Sequence, residues 1–269
     1  MRHPDKLPTR VAHYTGKPPR TSPPPRCTLE AAMPGGYAVR VLERGNAFKI
    51  IIPVPAREGN DRVSTALAAA FHSPDTPTRH RLRTCCRESV PLEEVLFFDV
   101  ETTGLGQTPL FLIGVMTWER EALVIRQFLA REYREEAAII QLFLETAADK
   151  RLFITFNGKS FDLRYLQRRA EVHNISPVLH AHHFDLLHEC RRIWRTQLPN
   201  CQLQTLEQQI CGHPPREDDI PGEAIPATYQ TFLLDGNATP IAQIMRHNAQ
   251  DLVTMAELLT KLPPLEHEA

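Results

Sequence analysis

The sequence predicts an α/β domain: a mixed five-stranded sheet with helices on both faces, preceded by a largely irregular N-terminal region that contains a β-hairpin. Three observations carry this. Three strand-like runs follow one another across 95–129, a helix-strand-helix alternation continues to about 185, and only helical periodicity remains after that.

Residues 1–35 are rich in Pro, Arg and Thr, with Pro23, Pro24 and Pro25 in a row. Such a segment buries little and is expected to be disordered or extended. Tyr37 to Leu42 and Phe48 to Val54 flank Gly45-Asn46, which reads as a hairpin over 37–54. Pro53 limits its second strand to an edge or ends it there. A short helix over 64–72 and a linker over 73–90 complete the N-terminal region, and a second domain is expected over 91–263. Val95 to Val100 is a near-continuous apolar run, as a buried central strand requires. Leu110 to Trp118 and Leu123 to Leu129 follow as strands around a polar turn at 119–121. Helices are expected over 131–148, 159–172, from 185 through Trp194, over 201–210 and over 239–262; short strands are expected over 152–156 and 182–185. Tight turns pair the first three strands antiparallel, and helical crossovers make the later ones parallel.

The formal charge of the 269 residues is -1, with 42% hydrophobic and 23% charged residues, ordinary for a globular protein. The charge is uneven: residues 1–90 hold 15 Lys and Arg against 7 Asp and Glu, whereas 91–269 hold 16 against 25. An acidic domain does not exclude a polyanionic substrate, because metal-bound carboxylates attract phosphate. No 18-residue apolar run suggests a membrane span, and no apolar core follows Met1 as in a signal peptide. The six cysteines show no CxxC spacing, so reduced thiols and a cytoplasmic location are expected.

Three short motifs carry the chemistry. Asp99 and Glu101 lie two apart in a strand and share a face at its end. Two carboxylates there repel unless a cation sits between them, although an exposed strand end with two solvated acids has the same pattern. Asp162 falls at the start of a helix after the turn Asn157-Gly158, where an acid also stabilises the helix dipole. His247 and Asp251 lie four apart on one helix face, a spacing that ordinary surface pairs share. Together, four acids and one histidine at one sheet edge suit two Mg²⁺ or Mn²⁺ ions, hard cations that prefer oxygen. Two such ions can clamp an in-line displacement at phosphorus, one activating water and one stabilising the leaving oxygen, with His247 placed to take a proton.

The combination resembles the DEDD exonucleases, which share the ribonuclease H-like fold, and within them the YprB-like ribonuclease H-like domain proteins of bacteria. The resemblance is carried by FFDVETTGL at 97–105, TFNGKSFDLRYL at 155–166, HHFDLLHECRRIWRTQLPNCQLQTLE at 182–207, DDIPGEAIPATY at 218–229 and HNAQDLVTMAEL at 247–258, and spans roughly 93–262. It implies two-metal binding by Asp99, Glu101, Asp162 and Asp251, a general-base role for His247, and 3′–5′ hydrolysis of single-stranded DNA or RNA. The spacing of four from His247 to Asp251 departs from the five of the His-type enzymes and is that of the Tyr-type.

Thr102, Asn157, Lys159 and Phe161 flank these motifs and are candidates for substrate contact, as is Arg164. Asp185 is expected to cap a helix or to brace the site. Arg191, Arg192 and Arg195 with Trp194 could grip phosphates and stack a base, or form a solvated face over a packed Trp. Cys201, Cys211 and His213 fit no strong zinc pattern. Gly104-Leu105-Gly106 lacks the third glycine of a dinucleotide loop, with Pro109 in its place. The rival readings are a non-catalytic nucleic-acid-binding or scaffold module on the same fold, and an endonuclease.

Overall fold

The computed structural model describes residues 26–54, 60–104, 106, 108–176 and 179–265. The proline run at 23–25 and the Gly104-Leu105-Gly106 centre at Leu105 lie outside them. Among the described residues there is one seven-stranded mixed sheet, in the order β1-β2-β5-β4-β3-β6-β7. Its strands are β1 (Tyr37–Val41), β2 (Gly45–Pro53), β3 (Val95–Thr102), β4 (Leu110–Glu119), β5 (Ala122–Leu129), β6 (Leu152–Thr155) and β7 (His182–Asp185). β3, β4 and β5 pair antiparallel, and β6 and β7 add parallel to them, as the connection lengths require. Two strands more than the expected five arise because the hairpin does not stand apart: β2 pairs antiparallel along β5 from Phe48↔Leu129 to Pro53↔Val124. Pro53 ends that ladder, and β1 becomes the sheet edge.

The described part of the N-terminal region, from residue 26 on, carries short helices beside the expected hairpin. Within the stretch expected to be irregular, Thr28 caps a four-residue helix α1 (Leu29–Ala32), and Leu29 and Met33 are buried in the same core layer as Phe48 of β2. Helix α2 runs from Asn60 to His72, and the expected linker contains α3 (Pro77–Leu82). Thr76 caps α3 and Pro77 opens it, a start signal hidden in a Pro-Thr-Arg run. Leu82, Cys86 and Val90 are then buried against the sheet.

The remaining α-helices among the described residues are α4 (Glu136–Ala147), α5 (Asp162–Val172), α6 (Leu186–Trp194), α7 (Leu203–Gln209), α8 (Ile225–Asp235) and α9 (Thr239–Lys261). α8 has no counterpart in the expected elements. Ile225, Tyr229 and Phe232 form its buried stripe, and Gly236 at φ 72° ends it. β3 alternates between two apolar layers. Leu96, Phe98 and Val100 enter the layer that contains α4, whereas Val95 and Phe97 enter the layer that contains the C-terminal half of α9. Asp99 and Glu101 continue the second of these rows, so they emerge on the face that α9 crosses.

Candidate active site

Across three strands, Asp99, Gly114 and Gln127 sit directly opposite one another on one face of the sheet. Asn248 of α9 lies over this row, fully buried. Its Nδ2 donates to Asp99 Oδ2 at 2.8 Å, and its Oδ1 accepts from Gln127 Nε2, also at 2.8 Å. Gln127 Nε2 also donates to the Met245 carbonyl at 2.7 Å. The helix comes this close because position 114 has no side chain: a Cβ there would stand 1.9 Å from Asn248 Oδ1. A glycine within an apolar strand marks such an approach, and it is the signal in the sequence that points to this packing.

The second acid arrives from another direction. After β6, Asn157 adopts φ 68°, and Gly158 packs where a Cβ would meet Thr155 Oγ1 at 2.3 Å. This tight turn sets Asp162 as the first residue of α5. Asp162 Oδ1 accepts from the Val100 amide at 3.3 Å, between Asp99 and Glu101 in the chain. Asp185 both caps and braces. It accepts from the Leu187 amide at the start of α6, and from the Asn157 and Lys159 amides at 2.8 and 3.0 Å, so it locks the turn ahead of Asp162.

α9 supplies the rest. Asp251 Oδ1 accepts from Arg216 Nη2 at 2.6 Å, and Asp251 Oδ2 lies 3.5 Å from His247 Nε2. The other ring nitrogen, His247 Nδ1, is 2.8 Å from Asp219 Oδ1. Sequence reasoning misses Arg216, Glu207 and Asp219 as parts of the site: they come from α7 and an irregular run with no periodicity to place them.

The electrostatics tie the four acids into one group. Burial, then the charges of Glu101, Asp162 and Asp251, hold the Asp99 carboxyl well above its ordinary range. Burial and the charges of Asp251 and Asp162 do the same to Glu101. Burial pushes Asp162 up to about 7 against its backbone hydrogen bonds. Asp251 is also raised by burial, with His247 and Arg216 opposing. Among the described residues no three His, Cys, Asp or Glu side chains close on one point as a ready-made ligand cage. The donor set itself fits a hard divalent cation, because desolvated carboxylates that repel one another need either protons or a cation. Mg²⁺ in particular is held by one or two carboxylates plus waters and substrate phosphates rather than by a closed protein cage.

A pH experiment tests the burial of Asp162. A carboxyl whose folded-state pKa is raised keeps a proton that the unfolded chain has lost, so its stabilisation is present below about 4 and is lost as pH rises through about 7. His183, buried and lowered to about 4, works in the opposite sense, so a difference is needed to isolate the acids. In chelator, Asp162→Asn should gain stability relative to the unaltered chain between pH 4 and 7, by up to ~1.4 kcal/mol per pH unit. Thermal melts of the two proteins check it; parallel curves would contradict the burial of this carboxyl.

The flanking candidates separate. Thr102 Oγ1 donates to the Gly104 carbonyl at 2.9 Å and so serves its own turn. The Phe161 ring packs half-buried against Tyr165, 5.1 Å between centroids. Asn157, Lys159 and Arg164 are exposed. Trp194 is buried in the core and therefore withdrawn from stacking, while Arg192 pairs with Glu189.

A family profile of the RNase H superfamily matches residues 96–263, which contain all five motif residues. The chain belongs to the RNase H superfamily. It is 31% identical over 169 residues to the uncharacterized protein YprB of Bacillus subtilis, an overlap covering 61% of this chain and 40% of YprB. It is 23% identical over 217 residues to a DNA polymerase of Desulfurococcus sp., covering 67% of this chain and 27% of the polymerase. The family B DNA polymerase of the archaeon Pyrobaculum calidifontis has a similar fold, with TM-score 0.51, 19% identity, and coverage of 62% of this chain and 24% of that one. The chain thus spans less than half the length of these relatives. Among the described residues no helix is long and apolar enough to cross a membrane.

Proposed function

We propose that this chain is a metal-dependent nuclease that hydrolyses single-stranded DNA or RNA from the 3′ end. What supports the reading is the grouping of four buried or partly buried carboxylates around β3 and α9: the Val100 amide between Asp99 and Glu101 holds Asp162, Asn248 one helical turn before Asp251 holds Asp99, and Asp99 and Glu101 are raised by burial and by the charges of the others. A surface that merely binds phosphate gains nothing from four such groups, which disfavours a non-catalytic scaffold. Membership of the RNase H superfamily and similarity to DNA polymerases support a nuclease. When bound, two Mg²⁺ or Mn²⁺ ions held by these four acids would supply an activated water and stabilise charge at the leaving oxygen. The chain's own residues orient this chemistry. Asn248 fixes Asp99, the Val100 amide fixes Asp162, and His247, held by Asp219, offers Nε2 beside Asp251 for a proton.

Circular single strands test the mode of attack. An exonuclease leaves a circle intact while it degrades the linear form; cutting of both at similar rates would replace it with the endonuclease reading.

Lys159, Arg164 and Arg168 are exposed around the start and along one side of α5, while the neighbouring Arg169 pairs with buried Glu136. On this reading they take the phosphates of the strand as it leaves the site. Arg164→Ala/Arg168→Ala in an Asp99→Ala background should weaken binding of single strands. The slope of log affinity against log salt should fall by ~0.7 for each phosphate no longer neutralised. An unchanged slope would remove α5 from the interface.

A further inference from the structure

The side chain of Arg216 reaches two helices at once. Its Nε donates to Glu207 Oε2 at 2.7 Å, and Nη2 donates to Asp251 Oδ1 at 2.6 Å. Glu207 is itself 2% exposed, and its second oxygen accepts from Gln250 Nε2 at 2.8 Å, one residue before Asp251. The guanidinium therefore bolts α7 to α9 at the level of the acids. Its remaining nitrogen, Nη1, is buried, makes no hydrogen bond among the described residues, and lies 3.6 Å from Asp219 Oδ2. With Nη1 out of contact with solvent and the side chain only 12% exposed, the guanidinium is turned mainly toward the carboxylates of Glu207 and Asp251. A planar fork suits this role, because two nitrogens fix two carboxylates in one plane, which a lysine ammonium cannot do.

We infer that Arg216 is a positioning residue for the metal-binding carboxylate of Asp251, anchored for that purpose by Glu207. Its bond takes up Oδ1 and leaves Oδ2 as the oxygen available to a cation. Without it, the rotamer of Asp251 would rest on the looser approach to His247 at 3.5 Å. The same irregular stretch delivers Asp219 to His247, so residues outside the four-acid motif complete the site. The inference rests on the metal reading above. It differs from the alternative in which Arg216 occupies the cation position and competes with the metal, because the two predict opposite changes in affinity.

The test is titration of the metal-free full chain with Mn²⁺ in the absence of nucleic acid, followed by calorimetry, for the unaltered chain, Arg216→Ala, Arg216→Lys and Glu207→Gln. Partners that orient metal ligands characteristically contribute about 10–100-fold in metal affinity. Arg216→Ala should weaken Mn²⁺ binding within that range, Arg216→Lys should not restore it, and Glu207→Gln should give a smaller loss in the same direction. Melting temperatures without metal report the purely structural share. A lowered melting temperature with Mn²⁺ affinity unchanged would overturn the inference, and so would tighter Mn²⁺ binding. If Arg216→Ala does not fold, Glu207→Gln decides: unchanged affinity overturns the inference and weakened affinity sustains it. An unaltered chain that binds no Mn²⁺ would instead overturn the metal reading, and this inference with it.

Discussion

Asp99→Ala should abolish hydrolysis of nucleic acid, lowering kcat by at least about 10³-fold, the upper end of what one preorganised charge-stabilising group contributes. Asp99 is the residue on which the site's geometry converges. It is centred on β3, held by Asn248, and raised by burial and by the charges of the other three acids. The same substitution should not unfold the protein. Removing one of four repelling carboxyls relieves repulsion, and sites of this kind trade stability for function. Asp99→Asn should accordingly be at least as stable as the unaltered chain in chelator while equally inactive, since an amide cannot serve as an anionic metal ligand. Steady-state kinetics alongside thermal melts separate the two effects. A variant with retained activity, or one inactive only because it is unfolded, would contradict the assignment.

The second large effect is expected far from any charge. Gly114→Ala should destabilise the protein by at least about 2 kcal/mol, within the range for overpacking a filled interior, and should reduce activity as well. The added methyl would overlap Asn248, which is not the loose end of a flexible side chain: it is fully buried and bonded on both sides, to Gln127 and Asp99. Relief requires α9 to lift from β4, and α9 carries His247 and Asp251. Stability and activity should therefore fall together. Asn248→Gly in the Gly114→Ala background should recover part of the stability but little of the activity, because Asp99 then has no amide to hold it. Denaturant unfolding of the single and double variants measures the coupling; additive losses would mean that Gly114 and Asn248 do not meet as described.

The alternation of β3, the antiparallel β3-β4-β5 order and the amphipathic α9 are legible in the sequence because each is a local pattern with its own period. The shared faces of Asp99 with Glu101 and of His247 with Asp251 are also legible, through spacings of two in a strand and four in a helix. What escapes is long-range. Gly114 and Gln127 make sense only once β4 and β5 bring them opposite Asp99, and Asn248 only once α9 crosses that row. Arg216 and Asp219 lie in a Pro-rich acidic run whose charges look solvated until Glu207, Asp251 and His247 are placed around them. The hairpin is visible as a hairpin. Its union with β5 is not, because edge pairing depends on a partner more than 70 residues away. α3 and α8 are hidden by their prolines, Pro77 and Pro226, which stand in the first turn of each helix, where proline is accommodated.

The decisive measurement follows 5′-labelled linear single-stranded DNA and RNA over time with the full chain in Mn²⁺ or Mg²⁺, beside chelator and beside Asp99→Ala. A metal-dependent 3′–5′ exonuclease gives a ladder of products that shortens from the 3′ end, seen only with metal and only with the intact carboxylate. Strands that remain whole in every metal, while still bound by the folded protein, would contradict it.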